Sequence, residues 1–150
     1  MKRDAALVSL SRGHHQALVV AQKLRRADHG SAREARAAFA AFWPVSGRGH
    51  FRLEEEVLLP AFAGHGDPHH PLIARVLCDH VEIRHRAEVV LDDDASTTVD
   101  DLHELGGLLA DHVRVEEREL FPLIEQAMPA GDLAVVASAL EQAEGLLADH

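Results

Sequence analysis

One eleven-residue pattern occurs twice in this chain, and it restricts the fold more than any other feature. His-Phe-Arg-Leu-Glu-Glu-Glu-Val-Leu-Leu-Pro runs from His50 to Pro60, and His-Val-Arg-Val-Glu-Glu-Arg-Glu-Leu-Phe-Pro runs from His112 to Pro122. His50 matches His112, Glu54 matches Glu116, Glu55 matches Glu117, Leu58 matches Leu120 and Pro60 matches Pro122. In each copy a Glu follows a His by four residues. On an α-helix that spacing stacks the two side chains one turn apart on one face. An imidazole and a carboxylate so placed can grip one metal ion.

The helical wheel gives the direction of that face. Around the second copy the apolar stripe is Leu105, Leu109, His112, Leu120 and Leu123, and its mean direction falls within about 20° of Glu116. Leu53, Val57, Leu58 and Ala61 centre on Glu54 in the same way. Glu55 and Glu117 lie on the flank, while Glu56 and Arg118 face away. One inward His–Glu pair is satisfied by a simple hydrogen bond on a helix. Two inward pairs favour a metal, because an unpaired buried carboxylate is costly.

A second repeat underlies the first. Shifted by 66 residues, Leu7 maps on Ile73, Leu10 on Val76, His14 on His80, Ala17 on Ile83, Ala21 on Ala87 and Leu24 on Val90. The chain therefore reads as two helical hairpins in tandem, each carrying one lone inward His and one His-x-x-x-Glu. The mapping selects His14 over His15, which lies at the stripe's edge.

Breakers and caps set the expected elements. The first helix spans about Asp4 to Asp28 and stops at His29-Gly30-Ser31, with glycine as the stop. The second spans about Ser31 to Ala63, kinked at Pro44, Gly47 and Gly49. Gly64 to Pro71 is a loop in which His65, His69 and His70 are solvated. The third helix spans about Leu72 to Leu91, with His85 pointing away and Glu82-Ile-Arg-His85 on the surface. Asp92-Asp93-Asp94 ends it, and Ser96 or Thr97 caps the fourth, about Val99 to Gln126, on which His103 faces outward. Pro129-Ala-Gly-Asp132 breaks the chain before a short fifth helix, Leu133 to Ala148. No strand pattern occurs. The expected fold is all-α: an antiparallel up-down four-helix bundle with a short fifth C-terminal helix, forming one domain over 1–150.

Composition excludes several functions. The net charge of −10 and the lack of a basic stripe argue against nucleic acid. No apolar run is long enough to span a membrane. The N-terminus is too poor in apolar residues for a signal peptide, and one cysteine forms no internal disulfide, so a cytoplasmic location is expected. Twelve histidines are the oddity that a function must explain.

Six side chains form the candidate metal shell: His14, His50, Glu54, His80, His112 and Glu116. Four imidazoles and two carboxylates, without thiolate, suit iron or manganese better than calcium or magnesium. The order His, His-x-x-x-Glu, His, His-x-x-x-Glu on four helices resembles the hemerythrin-like family, the cation-binding HHE domains. Leu-Ser-Arg-Gly-His-His-Gln-Ala-Leu near the start and the two Glu-Glu-x-x-Leu-x-Pro tails add to the likeness, which covers Leu7 to Ile124.

The resemblance implies a four-helix bundle around a non-haem di-iron centre, with a bridging oxo or hydroxo group. It implies a small diatomic or peroxide ligand, or a response to iron. Two departures separate the chain from the oxygen carriers of that family. They have a further His four residues on in the third helix, where this chain has Arg84. Their last helix has His followed by Asp at five, where this chain has Glu116 at four and Glu117 at five. Two six-coordinate irons offer about twelve positions, and bridging carboxylates, a bridging oxygen and four histidines fill about ten. About two stay open, which favours sensing or redox chemistry over reversible carriage. A di-iron peroxidase or oxidase, and a regulatory interaction module with a structural metal, are the alternatives. Whether Glu55, Glu117, His15 or Arg84 joins the shell is left open by the sequence, as are the protein partner and the oligomeric state.

Overall fold

The computed structural model describes residues 2–92 and 96–148, and these are mostly helical with no strand among them. Asp4 caps a 3-10 turn, Ala5–Leu7, by accepting from the Ala6 N–H at 2.8 Å. Helix α1 follows, Val8–Arg25. Helix α2 is a continuous helical run over residues 32–63, built from Ala32–Phe42, Trp43–Gly47, Arg48–Leu53, Glu54–Leu58 and Leu59–Ala63. Helix α3 is Pro71–Asp92, α4 covers residues 99–127, and α5 is Ala130–Ala148. Helix α1 packs along α4 and α2, and α4 also packs along α3.

Several expected boundaries move. Helix α1 ends at Arg25, and no described glycine has positive φ. The stop is made by Asp28, whose carboxylate accepts from the backbone N–H of Gly30 and of Ser31, both at 2.9 Å. An aspartate that bonds its own following backbone offers the chain an alternative to helix. Helix α4 is capped by Thr98 rather than Ser96 or Thr97. The Thr98 hydroxyl accepts from Asp101 N–H, and the Asp101 carboxylate accepts from Thr98 N–H, a reciprocal capping box. Asp93 and Asp94, expected to end α3, lie outside the described residues. Helix α5 begins three residues early, because the Pro129 carbonyl accepts from both Asp132 and Leu133. His103 does not face outward: it is half-buried, and its Nε2 donates to the Ala27 carbonyl at 2.6 Å.

The expected apolar stripes are buried: Leu7 of the 3-10 turn with Leu10, Ala17, Ala21 and Leu24 on α1, and Ile73, Val76, Ile83, Ala87 and Val90 on α3. The core is nevertheless split in two. One part gathers Leu10, Leu58, Phe62, Val76, Leu120 and Phe121 under the inner face of α5. The other gathers Leu24, Phe39, Trp43, Phe51, Ile83 and Leu105. His14 lies in sequence between Leu10 and Ala17, His80 between Val76 and Ile83, and Glu54 between Phe51 and Leu58. A polar layer thus crosses the bundle where each stripe is interrupted at the same height. Close approach elsewhere depends on Gly106, where a Cβ would stand 2.7 Å from the Ala21 carbonyl oxygen.

Three turns of these helices are π-turns: Trp43–Gly47, Glu54–Leu58 and Glu116–Leu120. The last two begin on the inward glutamates, and each is followed by a proline at its second position beyond, Pro60 and Pro122. A proline inside a helix has no N–H and crowds the carbonyl four residues back. Widening the preceding turn by one residue relieves both, and such turns concentrate at functional sites.

Candidate metal centre

Glu54 and Glu116 are fully buried, and His14, His80 and His112 nearly so. The six candidate residues meet in this layer as two groups of four. One group is His14, His50, Glu54 and Glu116; the other is Glu54, His80, His112 and Glu116; within each, the donor atoms lie within 4.8 Å of one another. Both glutamates belong to both groups. In the first group, Glu116 Oε1 is 2.7 Å from His14 Nε2, and Glu54 Oε2 is 3.1 Å from His50 Nε2. In the second, Glu54 Oε1 is 3.1 Å from His80 Nε2, and Glu116 Oε2 is 3.3 Å from His112 Nε2. Each carboxylate therefore gives one oxygen to each group.

The second group shows why the protein alone does not complete this layer. Glu54 Oε1, Glu116 Oε2, His80 Nε2 and His112 Nε2 are all buried without a hydrogen-bond partner. Their separations are short but misaligned for hydrogen bonding. Four orphaned donors and acceptors in a dry interior are expensive. Atoms aimed at a shared point instead of at each other fit a cation.

Three of the imidazoles are held from behind. His14 Nδ1 donates to Glu117 at 3.2 Å, His80 Nδ1 donates to Glu55 at 2.5 Å, and His112 Nδ1 donates to Asp79 at 3.1 Å. Such bonds fix the ring and leave Nε2 for the metal. Each carboxylate is itself steadied. Ser11 donates to Glu117 and Arg84 to Glu55, while Arg75 lies 3.4 Å from Asp79. Glu55, Glu117 and Arg84 thus stand behind the inward shell, and His15 is exposed. Phe51 stacks on the His80 ring at 3.8 Å, and Phe121 lies 5.2 Å from that of His14.

Without metal the layer holds protons. Burial opposes charge on the His50 ring, but the Glu54 and Glu116 carboxylates outweigh it and raise its pKa to about 10. For His80, burial is likewise overcome by Glu116, Glu54 and Glu55, giving about 11. For His112 it is overcome by Glu116 and Asp79, giving about 9. Burial also opposes charge on His14, and Glu116 and Glu117 still raise it. Glu116 answers in the opposite sense: burial favours its neutral form, yet the facing imidazoles hold it well below the usual carboxylate range.

Asp79 was not legible as part of this arrangement, since its partner His112 lies on another helix. The repeat of Glu55 as Glu117 was the available signal for the other two carboxylates. Beside the layer sits a small cavity of about 10 Å³, lined by His14, His50 and His112 and walled by apolar residues such as Trp43, Phe51 and Leu109.

Fold and site together define a helical bundle with a buried His/Glu cluster able to hold metal. The sequence matches the hemerythrin HHE cation binding domain over residues 6–124, and the chain belongs to that family. Neither a curated protein nor a solved structure matches it.

Proposed function

We propose that this chain is a non-haem di-iron protein, with His14, His50, Glu54, His80, His112 and Glu116 as ligands, that binds or senses a small ligand such as dioxygen, nitric oxide or peroxide. The four long helices are taken to run up and down around it. The observation that carries the reading is the sharing of both carboxylates between two four-residue groups. One bound ion would use only half of that donor set, and two would use all of it. Intermediate nitrogen and oxygen donors without thiolate suit iron. When bound, such a pair supplies redox chemistry and open positions for a small molecule.

The rest of the site limits what can reach it. A cavity of about 10 Å³ is near the smallest that holds one water. Its apolar walls suit a diatomic molecule and leave no room for an organic substrate, which disfavours an oxidase acting on one. Helix α5 exposes Val135 and Leu146, but isolated apolar side chains are ordinary on protein surfaces and do not favour an interaction module. The test is loading with iron(II) under argon, elemental analysis, and an optical spectrum before and after exposure to air. Two irons per chain with an air-induced absorption change support the reading. One metal per chain, or zinc in place of supplied iron, refutes it.

A further inference from the structure

The two halves of the cluster are related by the tandem repeat, and the repeat fails at one informative position. His14 corresponds to His80, and Glu117 behind the first corresponds to Glu55 behind the second. His50 corresponds to His112, but the residue behind His112 is Asp79, and the counterpart of Asp79 is Gly13. Gly13 does stand behind His50: a Cβ built on it would lie 2.7 Å from His50 Nδ1. One imidazole is therefore backed by a carboxylate and its repeat mate by a bare glycine. Among the described residues no carboxylate meets His50 Nδ1.

The same glycine opens that edge to the outside. A surface groove of about 310 Å³ is lined by Gly13, Ser46, Gly49, His50, Glu144 and Leu147, among others. His50 alone of the six cluster residues lines that groove. Its side chain is 11% exposed, against 4% or less for the other three histidines. Gly13 and His50 also line the small cavity that touches His14 and His112. They form a partition one side chain thick between solvent and the cluster. Rotation of His50 breaks no bond to a carboxylate at Nδ1, whereas His80 or His112 would have to break one there.

We propose that metal ions enter and leave through the groove beside His50, so that the His14–His50 half is the exchanging half and the His80–His112 half the retained one. The inference rests on the two-metal reading above. Outer carboxylates raise the basicity of a ligating imidazole and hold it in place. The retained half has two of them, and the exchanging half has one. Leu147 and Glu144 of α5 form the outer wall of the passage.

The test uses the full chain loaded with iron(II) under argon and then challenged with excess ferrozine, the release being followed by absorbance. Two equal phases of different rate are expected. Ser46→Trp, which places a large ring in the groove, should slow the fast phase severalfold and leave the slow one unchanged. Leu147→Ala, which widens the groove, should speed the fast phase. Asp79→Ala should instead weaken the retained half, by roughly 10–100-fold in affinity, and bring the slow phase toward the fast one. Circular dichroism shows that each variant is folded. A single rate for both irons overturns the proposal, as does a fast phase indifferent to both groove variants. Fewer than two irons bound at the outset overturns the two-metal reading itself, and the exchange proposal with it.

Discussion

Loading the cluster should expel about three protons at neutral pH, one each from the His50, His80 and His112 imidazoles. Metal-free His50, His80 and His112 hold their protons up to about 10, 11 and 9, and His14 is shifted in the same direction. At pH 7 the His50, His80 and His112 rings are therefore charged, each carrying a hydrogen on Nε2. A metal takes the place of that hydrogen. Three charges of +1 leave and two of +2 arrive, so the layer's charge changes little, which is how a dry interior tolerates both states. The exchange makes the joint affinity for two ions steeply dependent on pH, rising by about three powers of ten per unit near neutrality. The slope flattens as pH climbs through 9 to 11, where the free rings lose their protons unaided. Titration calorimetry with iron(II) under argon, in buffers of different ionisation enthalpy, counts the protons directly. Release of fewer than two at pH 7 would refute the argument, because the histidines would then have been neutral before the metal arrived.

The metal-free fold should show the matching stability profile. A pKa raised above the unfolded value contributes stability that is complete below about 6.5 and is lost as pH rises through about 9 to 11. Melting of metal-free protein should therefore fall between pH 7 and 10, while the increment from iron grows; a flat profile contradicts the charged-ring picture. Glu54→Gln combined with Glu116→Gln should abolish two-iron binding yet keep the helical circular dichroism, since neutral amides still hydrogen-bond facing imidazoles. Equal thermal stabilisation of wild type and double variant by iron would count against these two residues as ligands. Gly106→Ala should destabilise by about 1–3 kcal/mol in a denaturant titration, because its Cβ would stand 2.7 Å from the Ala21 carbonyl oxygen and 2.8 Å from Leu24 Cβ.

Periodicity and repetition made much of this chain readable from its letters. A period of 3.6 placed His14, Glu54, His80, His112 and Glu116 on inward stripes, and all five are buried. The repeat separated His14 from the exposed His15, a choice that one helix alone did not settle. What periodicity cannot supply is the neighbour across a helix interface. Glu55 and Glu117 read as flank residues, since each sits about 100° from an inward glutamate on its own wheel. Only packing of α2 on α3 and of α4 on α1 sets them behind His80 and His14. His103 was misjudged for the same reason, because the Ala27 carbonyl that it binds belongs to another segment. Sequence dictates which way a side chain leaves its own helix, a local property of backbone geometry. Which carboxylate backs which imidazole, and which imidazole is left facing a glycine and a groove, depends on how separate helices are docked, and the tertiary structure alone decided it.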